Sequence, residues 1–362
     1  MKVETTAGQL ASALQIFAGV IQRRNTIPVL SAVKFDGGKL IGTDLDIEAT
    51  VTLPTIGNLE GAAAVDYFGL ASLCRHIERD ETVSLAEADG KATLSFNGSE
   101  YRMPSYPAAD FPAFKEVSGT LTTTHNLGLI AAMRRVGFAI STEETRYYLN
   151  GVAIVADPGG SAVVAATDGH RLAMMSLSYA PEGAVGKILP RRLVHLMCRR
   201  NIEPSAVTFD ADVLSAKLDF PGLSLSAKLI DGNYPDIFRV VPRDPKPRLV
   251  VERKPFLRAL LRMRSFSEAF FPAVKIETEG RRLKLSRSSS GREAVEYIAI
   301  PEVSPTASWA TGFNANYLID ALSTLHGETV TFASDDGDAS YHPSLMTSPD
   351  DPLRVVIMPM RV

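Results

Sequence analysis

The same order of elements occurs three times along the 362 residues of this chain. Each copy begins with an amphipathic helix, continues with two or three strand-like runs, and then has a second helix and further strands. The predicted helices begin near Gln9, Phe68, Asn126, Pro190, Lys254 and Asn314. A period of roughly 120 residues is the length of a domain and is too long for a solenoid unit. Three similar domains in a row suit a protein that surrounds a partner better than one that encloses a small substrate.

The predicted fold class is α+β, with three tandem domains at residues 1–118, 119–246 and 247–362. At 45% hydrophobic and 22% charged residues, the composition is that of a globular protein. Its apolar runs are too short for a membrane span, and its first residues lack the segments of a signal peptide. Cys74 and Cys198 lie at matching helical positions of different repeats. We therefore expect two small buried hydrophobes, a reducing compartment and a cytoplasmic protein.

The charges are segregated along the chain. A net charge of −3 and a pI near 6.1 would by themselves argue against a nucleic-acid binder. Four of the predicted helical stretches nevertheless lack any acid: residues 9–24, 126–140, 190–200 and 253–266. One interpretation is that these helices face a polyanion held through its phosphates. The alternative is a solvated helical face whose acidic partners lie on neighbouring strands.

Six short motifs occur in a specific order. The six motifs are residues 105–112, 145–151, 166–173, 234–236, 312–320 and 354–362. Within them, Asp168-Gly169 predicts a hairpin turn between two strands. In this order and over the whole chain, the motifs resemble the bacterial DNA sliding clamp, the beta subunit of DNA polymerase III. The resemblance implies domains whose helices line the lumen of a ring and whose antiparallel sheets lie outside. It also implies a homodimer, closed head to tail around double-stranded DNA.

The resemblance also assigns residues to two sites. Those implied in sequence-independent DNA contact are Arg24, Arg75, Arg146, Tyr147 and Tyr148, and the basic end of the fourth helix adds Arg199 and Arg200. Those implied in a partner-peptide pocket between the second and third domains are Leu149, Thr167, Gly169, His170, Arg171, Leu172, Pro235, Arg239, Val240, Val356, Met358, Pro359, Met360 and Arg361. Implied partners are the polymerase III catalytic subunit, the clamp loader, and repair polymerases and ligase-type proteins that bind through short peptides.

The C-terminal sequence by itself favours such a pocket. An apolar chain end tends to be fixed to the protein, and methionine adapts to several partners. Gly169 lets a backbone approach closely, and Arg171, Arg239 and Arg361 are expected to rim the groove. A peptide with two or three apolar anchors would fit such a groove. In the alternative interpretation, the tail is the last strand of the third domain with its apolar side inward, and both interpretations can hold together.

Three segments depart from the family pattern. Residues 265–272, where we expect the subunit interface, are rich in phenylalanine, and residues 337–344 put a role for Ser340 in question. Only Arg239 follows the Pro-Asp of residues 234–239, where the family often has two arginines. These departures are compatible with a divergent or second clamp.

Two other classes of function compete with the clamp. A hydrolase would use Asp168, His170 and Ser176, but side chains two apart on a strand lie about 7 Å apart, too far for an Asp–His hydrogen bond. The histidines and cysteines lack metal-ligand spacing, so we expect no enzyme, metal or cofactor. A DNA-independent protein-interaction scaffold would keep the pocket but leave the acid-free helices unexplained.

Overall fold

A computed structural model gives the fold. It describes residues 1–56, 60–124, 127–199, 203–266, 273–289, 291–302, 304–305, 308–337 and 341–362. The six α-helices of these residues are α1 (Ala7–Gln15), α2 (Tyr67–Cys74), α3 (Leu129–Val136), α4 (Arg191–Cys198), α5 (Arg253–Phe266) and α6 (Ala315–Thr324). All six lie within a few residues of their predicted starts. Residues 267–272, Arg200 and Ser340, to which predictions were attached, lie outside the described residues.

Polar side chains at the N-terminal ends explain why α1, α2 and α6 start where they do. Thr6 and Gln9 form a capping box at the start of α1. The carboxylate of Asp66 and the amide oxygen of Asn314 accept backbone N–H groups from the first turns of α2 and α6. These short-range signals are readable in the sequence, so the starts of these three helices were predictable.

The strands form antiparallel pairs throughout the described residues. Their bounds are β1 (Lys2–Thr6), β2 (Ala32–Asp36), β3 (Lys39–Thr43), β4 (Ile47–Thr52), β5 (Ala63–Asp66), β6 (Thr82–Ala88), β7 (Lys91–Phe96), β8 (Ser99–Pro107), β9 (Leu121–Thr123), β10 (Gly151–Ala156), β11 (Ala162–Thr167), β12 (Arg171–Ser176), β13 (Ile188–Pro190), β14 (Ala206–Asp210), β15 (Ser215–Phe220), β16 (Leu223–Lys228), β17 (Lys246–Glu252), β18 (Ala273–Glu279), β19 (Arg282–Ser289), β20 (Arg292–Ala299), β21 (Ala310–Asn314), β22 (Thr329–Ser334), β23 (Ser344–Ser348) and β24 (Asp351–Ile357).

Two compact units divide the chain. The first comprises the described residues of 1–126, 181–184 and 195–229. It contains a twelve-stranded sheet in the order β1-β6-β7-β8-β5-β2-β3-β4-β16-β15-β14-β9. Strand β4 pairs with β16, so the first third of the chain and part of the middle third share one sheet. Its core includes the fully buried side chains of Phe17, Phe35 and Leu10.

The second unit comprises the described residues of 127–180, 185–194 and 230–362. It contains an eight-stranded sheet, β13-β10-β11-β12-β24-β23-β22-β17, and a four-stranded sheet, β20-β19-β18-β21. Strand β12 pairs with β24, with Leu172 opposite Val356. This pairing brings residues far apart in sequence to one place, which is where the pocket forms.

One expectation about the cysteines needs correction. Cys74 is buried, and burial raises its thiol pKa to about 12. Cys198 lies at the matching position of α4 but is only half-buried. The repeat therefore does not bury both thiols equally.

No helix of the described residues is long and apolar enough to cross a membrane.

Candidate functional site

A tight hairpin turn between β11 and β12 forms one wall of the site, as Asp168-Gly169 predicted. Oδ1 of Asp168 accepts the backbone N–H groups of His170 at 2.9 Å and Arg171 at 3.0 Å. The Thr167 hydroxyl donates to the carbonyl of Arg171 at 2.6 Å and accepts the N–H of Gly169 at 3.1 Å. Gly169 has φ of +89°, a conformation that favours glycine. The turn is therefore held by its own side chains.

Gly169 also leaves room for Arg146, which the resemblance assigned to DNA contact. A Cβ at Gly169 would overlap the guanidinium of Arg146. Nε of Arg146 donates to Oε2 of Glu143 at 2.7 Å. The hydrogen bond from Arg146, followed by that from Thr145, lowers the pKa of Glu143. Arg146 therefore lies at the pocket with its charge already paired.

Arg171 is enclosed by its own partners within the protein. Its guanidinium donates to Asp168 at 2.9 Å, to Asp320 at 2.6 Å and to the carbonyl of Phe138 at 2.6 Å. The same group lies 4.4 Å from the ring centroid of Tyr317. Its side chain is only 11% exposed. Arg171 therefore fastens the hairpin to α6.

A cavity of about 250 Å³ opens beside this hairpin. Its lining includes ten residues that the resemblance assigned to the pocket: Leu149, Thr167, Gly169, His170, Arg171, Leu172, Pro235, Val240, Val356 and Met358. It also includes four that were not assigned to the pocket: Arg146, Tyr148, Asp236 and Ile237. Of these, Asp236 and Ile237 lie in sequence between Pro235 and Val240, a proximity that was a usable signal.

Apolar side chains form the floor of the cavity. They belong to a buried cluster of Val163, Ala165, Leu172, Met174, Ile237, Leu345 and Val356. Successive members two residues apart on β11 and β12 share one face of the sheet. Tyr234 packs against this cluster, and burial raises the pKa of its hydroxyl. The cavity therefore offers a mostly apolar surface to a ligand, with polar groups at its rim.

Four residues predicted for the pocket lie outside its lining. They are Arg239, Pro359, Met360 and Arg361. Arg239 is bound to Asp236 at 3.2 Å, and its side chain is 82% exposed. The N–H of Met358 donates to the carbonyl of His170 at 2.9 Å, whereas that of Met360 donates to Gly312 at 2.9 Å. The tail therefore contributes Met358 to the cavity and then turns away from it.

The Asp168 and His170 side chains have separate partners. The Asp168 carboxylate is occupied by backbone N–H groups and by Arg171, while the ring of His170 stacks on Tyr317 with centroids 6.4 Å apart. A general base needs its carboxylate partner at the imidazole nitrogen. The geometry of these residues is that of a structural turn.

In the first unit, three arginines assigned to DNA contact are exposed. The side chains of Arg24, Arg75 and Arg199 make no hydrogen bond or ion pair with any other residue that the structure describes. Arg24 follows Arg23, whose guanidinium lies 4.8 Å from the ring centroid of Phe68. Arg199 lines a groove of about 270 Å³ together with α1 residues. Tyr147, in the second unit, is 54% exposed.

The acid-free helices divide between the two interpretations. Arg262 of α5 is held by both oxygens of Glu296 on β20, each at 2.7 Å, and Arg135 of α3 is held by Asp351 at 2.6 Å. These are acids on neighbouring strands, as the solvated-face alternative predicted. Arg258, by contrast, is exposed, and its side chain makes no hydrogen bond or ion pair within the described part of the chain. Only part of the basic helical surface is therefore free to meet an anion.

Three family domains match consecutive parts of this sequence. The N-terminal, central and C-terminal domains of the DNA polymerase III beta subunit match residues 1–115, 125–236 and 238–361. The chain belongs to the DNA polymerase III beta subunit family. The identification from sequence motifs is confirmed, as is the three-domain clamp fold with antiparallel sheets. The exact boundaries at residues 118 and 246 stay a prediction.

Relatives of known name match along the full length. The beta sliding clamp of Caulobacter vibrioides is 34% identical over 388 residues, covering 100% of both chains. A structure of the DNA polymerase III subunit beta from Pseudomonas aeruginosa is 27% identical with a TM-score of 0.90, covering 100% of both chains. A beta sliding clamp structure from C. crescentus is 31% identical with a TM-score of 0.87, covering 100% of this chain and 99% of that one. The beta subunit family therefore accounts for the whole chain.

Proposed function

We propose that this beta subunit closes with a second copy into a ring around double-stranded DNA and tethers the polymerase III catalytic subunit to it. The clamp performs no chemistry, needs no cofactor and acts in the cytoplasm. Tethering raises the local concentration of a weakly bound polymerase near the primer end. The clamp loader, repair polymerases and ligase-type proteins use the same pocket through short peptides, one at a time.

The observation that carries this proposal is the open apolar cavity beside the β11–β12 hairpin. Its volume of about 250 Å³ and its lining by Leu172, Val356 and Met358 suit two or three apolar side chains of a peptide. The hydrogen-bonded turn and the enclosed Arg171 keep that surface in one shape before a peptide arrives, which lowers the entropic cost of binding.

The exposed arginines of the first unit support contact with the DNA backbone. Arg24, Arg75 and Arg199 carry charges without hydrogen-bond or ion-pair partners among the described residues, so phosphates can take that place. Arg200 remains part of the proposal on sequence grounds alone. Tyr147 is exposed, whereas Arg146 and Tyr148 line the cavity. We infer that these last two contribute to peptide binding as well as to the proposed DNA contact.

Strand β20 supports assembly with a second copy. It is an edge strand of the four-stranded sheet, and Val295 and Tyr297 on it are 52% and 49% exposed. Phe266, at the end of α5, is 51% exposed. An edge strand with exposed apolar side chains is a template for pairing with another chain. The homodimer would cover it.

The test of the ring is retention on DNA. The protein is loaded with a compatible clamp loader onto nicked circular plasmid, and half of the sample is linearised before both are passed over a sizing column. Retention on the circle and loss from the linear DNA is the expected result. Equal behaviour on both, with a control clamp that the same loader places correctly, would exclude a topological link.

The salt dependence of DNA association separates the clamp from a DNA-independent scaffold. Contacts to phosphates weaken steeply with salt, because binding releases counterions. Association with the plasmid before loading should therefore fall as salt rises. An absence of any association at low salt, together with normal peptide binding, would favour the scaffold.

A further inference from the structure

The last residues of the chain are anchored on a strand that does not line the cavity. After Met358, which lines it, the N–H of Met360 donates to the carbonyl of Gly312 at 2.9 Å. Gly312 lies in the middle of β21, opposite Lys275 of β18. The side chain of Val362 lies over the same sheet, where it lines a shallow depression with Ala273 and Lys275. The tail thus runs from the cavity to the four-stranded sheet.

The absence of a side chain at Gly312 is what permits this path. A Cβ there would overlap the carbonyl oxygen of Met360 and would lie 2.6 Å and 2.7 Å from Cγ1 and Cγ2 of Val362. The first of these is a backbone atom, which cannot rotate away. Gly312 has ordinary strand conformation, open to any residue, so its backbone angles do not require glycine. The close approach of the tail does.

We propose that Gly312 is a positioning residue of the peptide pocket: it seats Met360 and Val362, and this anchor holds Met358 at the cavity wall. The inference rests on the proposed function of that cavity. The N–H of Met358 donates to the carbonyl of His170, and two residues later the N–H of Met360 donates to the carbonyl of Gly312. Met358 is therefore held by hydrogen bonds on both sides. Since Pro359 between them has a fixed φ, displacement of Met360 is transmitted to Met358.

The test is Gly312→Ala, with Gly137→Ala as its matched control. Gly137 follows α3 with φ of −58°, and a Cβ there meets nothing within 4 Å, so alanine is accommodated without displacement. The probe is the tightest-binding of overlapping peptides that cover the polymerase III catalytic subunit of the same organism, labelled with fluorescein. Methyl resonances of ¹³C-labelled methionine report the position of Met358 without any peptide.

Gly312→Ala should shift the Met358 methyl resonance and weaken peptide binding by about tenfold or more, because the added Cβ overlaps the carbonyl oxygen of Met360 and displaces the tail. Gly137→Ala should change neither. An unmoved Met358 resonance, or unchanged affinity despite a shifted resonance, would overturn the inference. A wild-type chain that binds no peptide at all would instead overturn the proposed pocket, a result distinguishable from either.

A second background separates positioning from a general defect in β21. In a chain that ends at Pro359, both groups that a Cβ at position 312 would overlap are gone. There, Gly312→Ala should leave the Met358 resonance, the residual peptide affinity and the melting temperature unchanged. If the substitution lowers the melting temperature equally in the full and the shortened chain, β21 itself requires the glycine. The contact of Met360 and Val362 with Gly312 would then not be the reason.

Discussion

Two strand pairings join different thirds of this chain, and they are stabilised in different ways. In the β4–β16 pairing, Lys228 of β16 reaches Asp46 at 3.1 Å, but both side chains are more than half exposed. Beside the β12–β24 pairing, Arg135 of α3 reaches Asp351 of β24 at 2.6 Å, and those side chains are 14% and 0% exposed. The first pairing thus carries a surface ion pair, and the second a buried one.

The second pairing is also where the cavity lies. Arg171, the first residue of β12, ties the hairpin to Asp320 of α6, and Arg135 also donates to the carbonyl of Thr324 at the end of that helix. Buried ion pairs add little net stability over apolar packing, but they fix geometry because breaking them is costly. The little-exposed ion pairs are therefore found at the pairing that shapes the pocket.

The largest expected effect tests the buried pair. Asp351→Ala leaves Arg135 buried without its carboxylate, so the free energy of unfolding should fall by about 3–5 kcal/mol. Asp46→Ala, the corresponding change at the exposed pair, should lower it by no more than about 0.5 kcal/mol. Urea titration of both variants checks this. Equal losses would remove the distinction between the two pairings.

The next effect concerns pocket geometry. In Arg171→Lys the charge remains, but one ammonium cannot serve Asp168, Asp320 and the carbonyl of Phe138 together. Peptide affinity, measured by fluorescence anisotropy, should fall about fivefold to tenfold. Lys228→Met at the other pairing should leave it unchanged. A full-affinity Arg171→Lys variant would show that the hairpin keeps its shape without the guanidinium.

A third change sharpens the division between the regions. Replacing Arg24 and Arg75 by glutamine should reduce the slope of log affinity for DNA against log salt by about two, since each phosphate contact contributes roughly 0.9. Peptide affinity should not change. Arg102→Gln is the control, because Arg102 pairs with Glu100 on β8. The same slope in all three proteins would place Arg24 and Arg75 away from the DNA.

The smallest expected effect is that the contributions of Asp351 and Glu48 to stability change in opposite directions with pH. Burial raises the pKa of Asp351, but the hydrogen bond from Arg135 and those from backbone N–H groups outweigh it, so the net pKa lies below its ordinary value of 3.8. Its contribution to stability is present above that value and is lost as pH falls through the folded pKa. Burial raises the pKa of Glu48 on β4 above 4.5, against the N–H of Phe114 and the charge of Lys34.

The Glu48 carboxyl is therefore protonated more easily in the folded protein than in the unfolded chain. Ionised Glu48 lowers the free energy of unfolding at a pH above its folded pKa, and this loss disappears as pH falls toward 4.5. Glu48→Gln should raise stability at pH 7 and have no effect below about pH 4, where both proteins are neutral at this position. Urea midpoints between pH 3.5 and pH 8, approximately, measure it. A constant difference across that range would show that the carboxyl does not titrate differently on folding.

Much of the fold was predictable because its signals are local. The capping residues Thr6, Asp66 and Asn314 mark helix starts within a few residues of sequence. Asp168-Gly169 specifies its turn through hydrogen bonds that span no more than three residues. The repeated order of helices and strands predicted three similar domains, and the resemblance of six motifs to the clamp family implied the family and its fold.

What the sequence determined by itself was the set of elements, their triplicated order and the family. Only the tertiary structure decided which charges are free. Arg171 and Asp320 are 149 residues apart and Arg135 and Asp351 are 216 apart, so no spacing rule pairs them. The tertiary structure likewise placed Arg146 at the pocket and Met360 on Gly312. Such contacts depend on the pairing of β12 with β24. The residues next to an arginine or a glycine in the sequence do not indicate which distant residue it will contact.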